Sequence, residues 1–250
     1  MPPSPALRTS KLLCWSLALT LGLVALPAPL SAQIFIPPDR GLPGRREGGG
    51  TRGDCAASQI PLTALIPDTN FGKTLQEYPT FFWYVPPIET QAAEFVLMDE
   101  DQNEIYYTQF EIEEPGGIIS ISLPASGEVP ALELGKDYRW YFALICDVND
   151  RSRDIFAEGW VQRISPDPEF IDELNRIPMS DRPNLYAREG IWFDALMAFV
   201  QLRQAEPTNP TVRSDWFTFL ESVDLEQLSE QPFIACCGSE LDYIDQFSYR

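Results

Sequence analysis

Histidine is absent from all 250 residues. That removes the commonest general base, every triad built on imidazole and every His-containing metal site. A Gly-x-Ser-x-Gly elbow, a Walker loop and a dinucleotide fingerprint are missing as well, which takes out the familiar hydrolase, nucleotide and nicotinamide signatures. Basic residues are scarce: 18 Lys+Arg stand against 37 Asp+Glu, for a net charge of −19. A field of that sign repels phosphate backbones and excludes nucleic-acid binding. It equally disfavours anionic lipid surfaces. The longest apolar run, Leu12–Leu26, is shorter than the roughly 20 residues that span a bilayer as a helix.

That run has the setting of an export signal. Arg8 and Lys11 precede it, Pro27 and Pro29 follow it, and Leu30-Ser31-Ala32 leads into Gln33. Basic, apolar and small is the order of a secretory signal peptide, expected to be cleaved after Ala32. Retention as a membrane anchor is the alternative; after cleavage no transmembrane span is expected. The leader holds two of the 18 bases and no acid, so cleavage takes the net charge from −19 to −21. Such a surface favours solubility and tolerates divalent cations or basic partners.

Export gives meaning to the cysteines. Four lie beyond the leader: Cys55, Cys146, Cys236 and Cys237. An even count in an exported chain reads as a disulfide framework with three possible pairings. A bridge between the adjacent Cys236 and Cys237 needs a strained ring. We favour Cys55–Cys146, which closes a long loop worth about 3–4 kcal/mol. Cys236 and Cys237 are then free, paired together or available to another chain. Metal binding draws no support without C-x-x-C spacing.

Beyond the leader, residues 33–54 are rich in Gly, Pro and Arg and show no periodicity, so a flexible linker is expected. Residues 55–166 read as β. The expected strands are Leu62–Ile66, Thr80–Val85, Ala93–Met98, Glu104–Phe110, Gly117–Leu123, Asp137–Cys146 and Asp154–Ile164. About seven short strands with regular turn signals point to an all-β sandwich of the immunoglobulin or fibronectin type. Asp137–Cys146 is apolar on one face and mixed but mostly apolar on the other, and is expected to be central. Leu132-x-Leu134-Gly135-x-x-Tyr138 has the spacing of a tyrosine corner, where a Tyr hydroxyl ties back to the upstream backbone.

Residues 167–250 read as a small helical subdomain. Asp167–Arg176 is expected as its first helix, capped by Asp167 with Pro168 in the first position. Leu185–Gln204 is expected as one long helix with Trp192, Ala195, Leu196, Phe199 and Leu202 in a stripe. Val212–Val223 follows after a Pro-Asn-Pro turn, and Leu225–Ser229 adds one more turn.

Three groups of residues carry possible chemistry. Asp99, Asp101 and Asn103 begin like a calcium loop, but Glu104 stands where Gly is needed and Phe110 where the closing Glu belongs. Asp147, Asn149 and Asp150 form a second acidic hairpin tip. If the two tips share one end of the sandwich, they can share a divalent ion. Phe82, Trp83 and Tyr84, in the aromatic run Tyr78–Pro86, offer a ligand or partner surface or else a buried strand. Chance pairs among 37 acids carry no weight as glycosidase candidates. No catalytic residue and no cofactor other than calcium is put forward.

Several blocks resemble one family in combination. They are Arg52-Gly53-Asp54-Cys55, Tyr78-Pro79-Thr80-Phe81-Phe82-Trp83-Tyr84-Val85-Pro86, Gly135-Lys136-Asp137-Tyr138-Arg139-Trp140, Leu144-Ile145-Cys146 and Glu158-Gly159-Trp160-Val161-Gln162-Arg163. Over about residues 52–225 the chain resembles the DUF928 family, uncharacterised exported cyanobacterial proteins built on a domain of unknown function. The resemblance implies an extracytoplasmic envelope protein and brings no activity, cofactor or site residue. The expected function is a non-catalytic binding or interaction module for an envelope protein or glycan, in the periplasm or at the cell surface. An Asp/Glu-dependent hydrolase of envelope polysaccharide and a calcium-stabilised structural or adhesion domain are the alternatives.

Overall fold

Strands form where aromatic and β-branched residues run together. The structure, a computed structural model, describes residues 35–48, 59–87, 90, 92–112 and 116–234. Its strands are β1 (Thr63–Ala64), β2 (Phe71–Thr74), β3 (Thr80–Val85), β4 (Ala92–Met98), β5 (Glu104–Phe110), β6 (Gly117–Ser122), β7 (Asp137–Ile145) and β8 (Ile155–Arg163). They build a three-stranded sheet, β1-β3-β6, and a five-stranded sheet, β2-β8-β7-β4-β5. All pairs are antiparallel except β2 with β8, which is parallel. The expected seven strands are all present, and β7 is internal to its sheet.

The two sheets meet through their aromatic faces. Trp83 of β3 stacks on Phe142 of β7 with ring centroids 4.4 Å apart. It also meets Trp140 edge-on at 5.7 Å, and Phe81 packs on Phe95 at 5.2 Å. At the entrance to β7 the Tyr138 hydroxyl accepts the Glu133 backbone N–H at 3.1 Å. This is the tie that the tyrosine-corner spacing anticipates.

One strand has no signal in the sequence. β2 is Phe-Gly-Lys-Thr, four residues without alternation. Its order comes from outside: β8 pairs along its whole length, and Phe193 and Trp192 lie over Gly72. A Cβ at Gly72 would stand 2.6 Å from the Phe193 ring, so only glycine allows this approach.

Two expectations need correcting. Residues 35–48 are not a loose linker. Phe35 is buried edge-on against Trp192 at 4.9 Å. Arg45 and Glu158 exchange backbone hydrogen bonds at 3.2 and 2.8 Å, and Gly48 N–H reaches Leu62 O at 2.6 Å. The Arg40 guanidinium pairs with Asp137, and Arg46 donates to Val223 O at 2.6 Å. The segment lacks periodicity because its partners are strand edges and acids far along the chain.

The second correction concerns the long helix. Residues 185–204 divide into α2 (Arg182–Arg188) and α3 (Trp192–Ala205). Gly190 stands at φ +70°, its N–H bonds Ala187 O at 3.1 Å, and Ile191 N–H bonds Tyr186 O at 2.9 Å. That pair of bonds is a Schellman ending, which a left-handed glycine makes easy. The expected stripe, Trp192 to Leu202, lies wholly within α3, and Arg188-Glu189-Gly190 marks the break before it.

The remaining helices are α1 (Pro168–Arg176), capped by Asp167 on Glu169 N–H at 2.8 Å, and α4 (Pro210–Glu221), capped by Asn209 on Thr211 N–H at 2.9 Å. α3 lies on the β-layers: Trp192 Nε1 donates to Leu65 O at 2.9 Å, and Phe193 meets Phe81 edge-on. On its other side Trp192 stacks on Phe219 of α4 at 4.7 Å. α3, α4 and the strands therefore share one hydrophobic core, while Phe170 of α1 packs with Leu185 and Ile191 in a second, smaller cluster. Among the described residues no helix is long and apolar enough to cross a membrane.

Candidate functional site

An opening lies where α3 passes the connection from β2 to β3. It is a cavity of about 670 Å³, within the roughly 300–1,000 Å³ typical of small-molecule sites. One wall is the chain from Thr74 to Thr80. The opposite wall is a single face of α3, with Asp194, Met197, Ala198, Gln201 and Ala205 at helical spacing. Tyr186 and Arg182 of α2, Met179 and Ala125 complete the rim. Small residues at 198 and 205 leave room, while Met197, Leu202, Tyr186 and Phe193 keep the walls apolar.

A polar knot sets the width of the opening. Asp194, in the first turn of α3, is buried. One of its oxygens accepts the Thr74 hydroxyl at 2.8 Å and the Leu75 N–H at 3.0 Å. The other accepts Gln76 Nε2 at 3.0 Å. Gln76 N–H in turn donates to Thr74 Oγ1 at 3.0 Å. Burial raises the Asp194 carboxyl above the usual carboxylate range, and the donors from Gln76, Leu75 and Thr74 pull the other way. The Thr74 hydroxyl has its proton on Asp194 and its oxygen on Gln76, so this pair is a structural tie and not an activated nucleophile.

Phe82, Trp83, Tyr84 and the two acidic tips do not line this cavity, although Tyr78, Pro79 and Thr80 at the start of the same aromatic run do. Phe82, Trp83 and Tyr84 are 5%, 0% and 4% exposed, so they are core and present no surface. Every residue of β3 is buried, because both faces of this internal strand are covered. Asp99 is occupied by its own hairpin: it accepts Asp101 N–H, Asn103 N–H and Asn103 Nδ2 at 2.8–2.9 Å. These bonds, led by the Asn103 side chain, lower its pKa. Asp147 accepts Asn149 N–H at 2.9 Å, and Asp150 holds Ser152. The two tips do not meet. Asp137 N–H reaches Glu100 at 2.9 Å, so residues 99–103 sit at the start of β7. Residues 147–150 follow its end. β7 has nine residues, which at about 3.3 Å each separates the tips by roughly 26 Å. They cannot share one ion.

Among the described residues no three Cys, Asp or Glu side chains cluster as a metal-holding group. Of the expected Cys55–Cys146 bridge, only Cys146 is described, half-buried just after β7. Cys55, Cys236 and Cys237 lie outside the described residues.

A family model, Domain of Unknown Function (DUF928), matches residues 47–233. The chain belongs to this DUF928 family. The match spans both sheets and all four helices of the DUF928 domain, including every residue that lines the cavity. No curated protein matches the chain.

The cavity residues were not legible as a site. Asp194 is the one acid inside the apolar run Ile191–Val200. A lone carboxylate in such a run is the signal that would have drawn attention to α3. Thr74, Gln76 and Arg182 carry no signal of their own, because they join the site only through tertiary contacts.

Proposed function

We propose that this chain is an exported, non-catalytic binding module of the cell envelope, and that the cavity beside α3 holds an apolar group of its ligand. The observation that carries the reading is an opening with mainly apolar walls whose two carboxylates, Asp194 and Glu77, are already engaged. Asp194 is held by three donors and Glu77 by Arg163. Neither carboxylate is left to act as a general acid or base, so the cavity favours holding over turnover. Export is supported by the leader pattern alone. N-terminal sequencing of the exported chain is expected to begin at Gln33, and an intact Met1 would point to an anchored form.

We also place the two sheets in an immunoglobulin-like sandwich. The support is the tyrosine corner at Tyr138, the order β1-β3-β6 against β2-β8-β7-β4-β5, and the parallel run of β2 on β8. The Cys55–Cys146 bridge belongs to the same proposal. A tryptic mass map without reductant tests it, and a free Cys146 thiol would remove it.

Binding is tested with N-phenyl-1-naphthylamine, a neutral apolar dye that brightens when sheltered from water. The wild-type chain is expected to bind it saturably. Ala198→Trp fills the cavity and is expected to abolish the signal while leaving the circular dichroism spectrum unchanged. Equal binding by a folded Ala198→Trp protein would contradict the reading.

A further inference from the structure

The cavity wall contains a cation without a counter-ion among the described residues. Arg139, Arg163 and Arg203 each bury an unbonded Nε, yet each places its terminal nitrogens on an acceptor: Glu158, Glu77 with Leu132 O, and Ser229 O respectively. Arg182 also buries an unbonded Nε. Unlike the others, it has no acceptor for any of its nitrogens among the described residues, and it lines the cavity. The adjacent Asp181 does not serve it, being bonded instead by the Ser180 hydroxyl. In a chain with twice as many acids as bases, an arginine left without a carboxylate stands out. A buried guanidinium N–H without a partner is costly, and an incoming acceptor relieves that cost.

We propose that the cavity binds an apolar carboxylate: an amphiphile whose anionic head sits on Arg182 and whose tail lies against Met179, Tyr186, Met197 and Leu202. The planar fork of arginine matches the two oxygens of a carboxylate, and the apolar walls exclude the water that would weaken the pair. Cationic amphiphiles gain nothing from Arg182. Multiply charged anions are repelled at long range by the net charge of the chain. The proposal rests on the binding reading above and names its ligand class.

The test is displacement of bound N-phenyl-1-naphthylamine by three ten-carbon probes: decanoate, 1-decanol and decyltrimethylammonium. Decanoate is expected to displace at about tenfold lower concentration than 1-decanol, the worth of one charge-assisted pair. Decyltrimethylammonium is expected to do no better than the alcohol. Arg182→Gln should bring decanoate level with 1-decanol and leave the alcohol unchanged. Arg182→Lys should keep part of the preference, since it restores a point charge without the fork. A melting curve confirms that each variant is folded. Equal displacement by decanoate and 1-decanol in the wild type, or a preference that survives Arg182→Gln, overturns the carboxylate proposal and leaves the binding module standing. Failure of the dye itself to bind overturns both.

Discussion

The space between the two sheets and the space between α3 and the β2–β3 connection are made from similar side chains, but they end differently. Between the sheets, Phe81, Trp83, Phe95, Trp140 and Phe142 interlock ring on ring, each at most 1% exposed. Beside α3, Tyr186, Phe193, Met197 and Leu202 border an opening of about 670 Å³. The sheets close because strand side chains alternate and interdigitate. The helix face cannot close, because the Asp194 knot fixes its first turn to the end of β2 and small side chains follow at 198 and 205. Aromatic richness in this chain thus marks the filled half, and the binding half is marked by a buried polar tie next to alanines.

The difference can be broken from the filled side first. Trp83→Ala is expected to cost about 4 kcal/mol, since it opens a cavity among rings that cannot relax into it. Chemical denaturation reads the loss, and a cost under about 1 kcal/mol would mean the sheets are loosely packed. Trp83→Phe sharpens the point. The Trp83 indole N–H is buried without a partner among the described residues, so this change should cost far less.

Next is the knot. Asp194→Ala strands the Thr74 hydroxyl, the Leu75 N–H and the Gln76 amide, and is expected to cost about 3 kcal/mol. Its pH signature has a definite sign. Burial raises the Asp194 pKa in the folded chain above its unfolded value. The folded state then binds more protons, so the stability this group contributes is complete below the ordinary carboxylate range and declines as pH rises through the raised value. Asp194→Asn does not ionise. The wild type should therefore lose stability relative to Asp194→Asn as urea midpoints are taken from about pH 4 to pH 8. A relative gain would show that the three donors outweigh burial.

Smaller effects follow. Tyr138→Phe removes the acceptor of the Glu133 N–H and is expected to cost about 1 kcal/mol. Met197→Ala borders space that is already open, so it should cost under about 0.5 kcal/mol while weakening dye binding severalfold. A large stability loss at Met197 would place it in the packed core and erase the distinction.

The legible parts of this fold are those with local chemistry. The alternation in β7, the Pro168 and Asp167 start of α1 and the Leu132–Tyr138 spacing all act within a few residues, and each stands in the structure as expected. The illegible parts depend on distant partners. β2 exists because β8 and α3 meet it, and residues 35–48 are ordered by Asp137, Glu158 and Trp192. The candidate site belongs to this second group. Its walls come from Thr74 to Ala205, more than 100 residues apart in the chain, and no short motif joins them. The acidic tips drew attention because carboxylates at alternate positions look like ligands, whereas here they serve as hairpin acceptors.

The most direct test of the binding account uses the four methionines of the chain, Met1, Met98, Met179 and Met197. Two of them, Met179 and Met197, line the cavity, and Met98 lies at the end of β4 away from it. With ¹³C-methyl methionine labelling, titration with 1-decanol should shift the Met179 and Met197 methyl resonances together and saturably while Met98 stays in place. Unmoved Met179 and Met197 resonances, or a Met98 shift of equal size, would contradict the account.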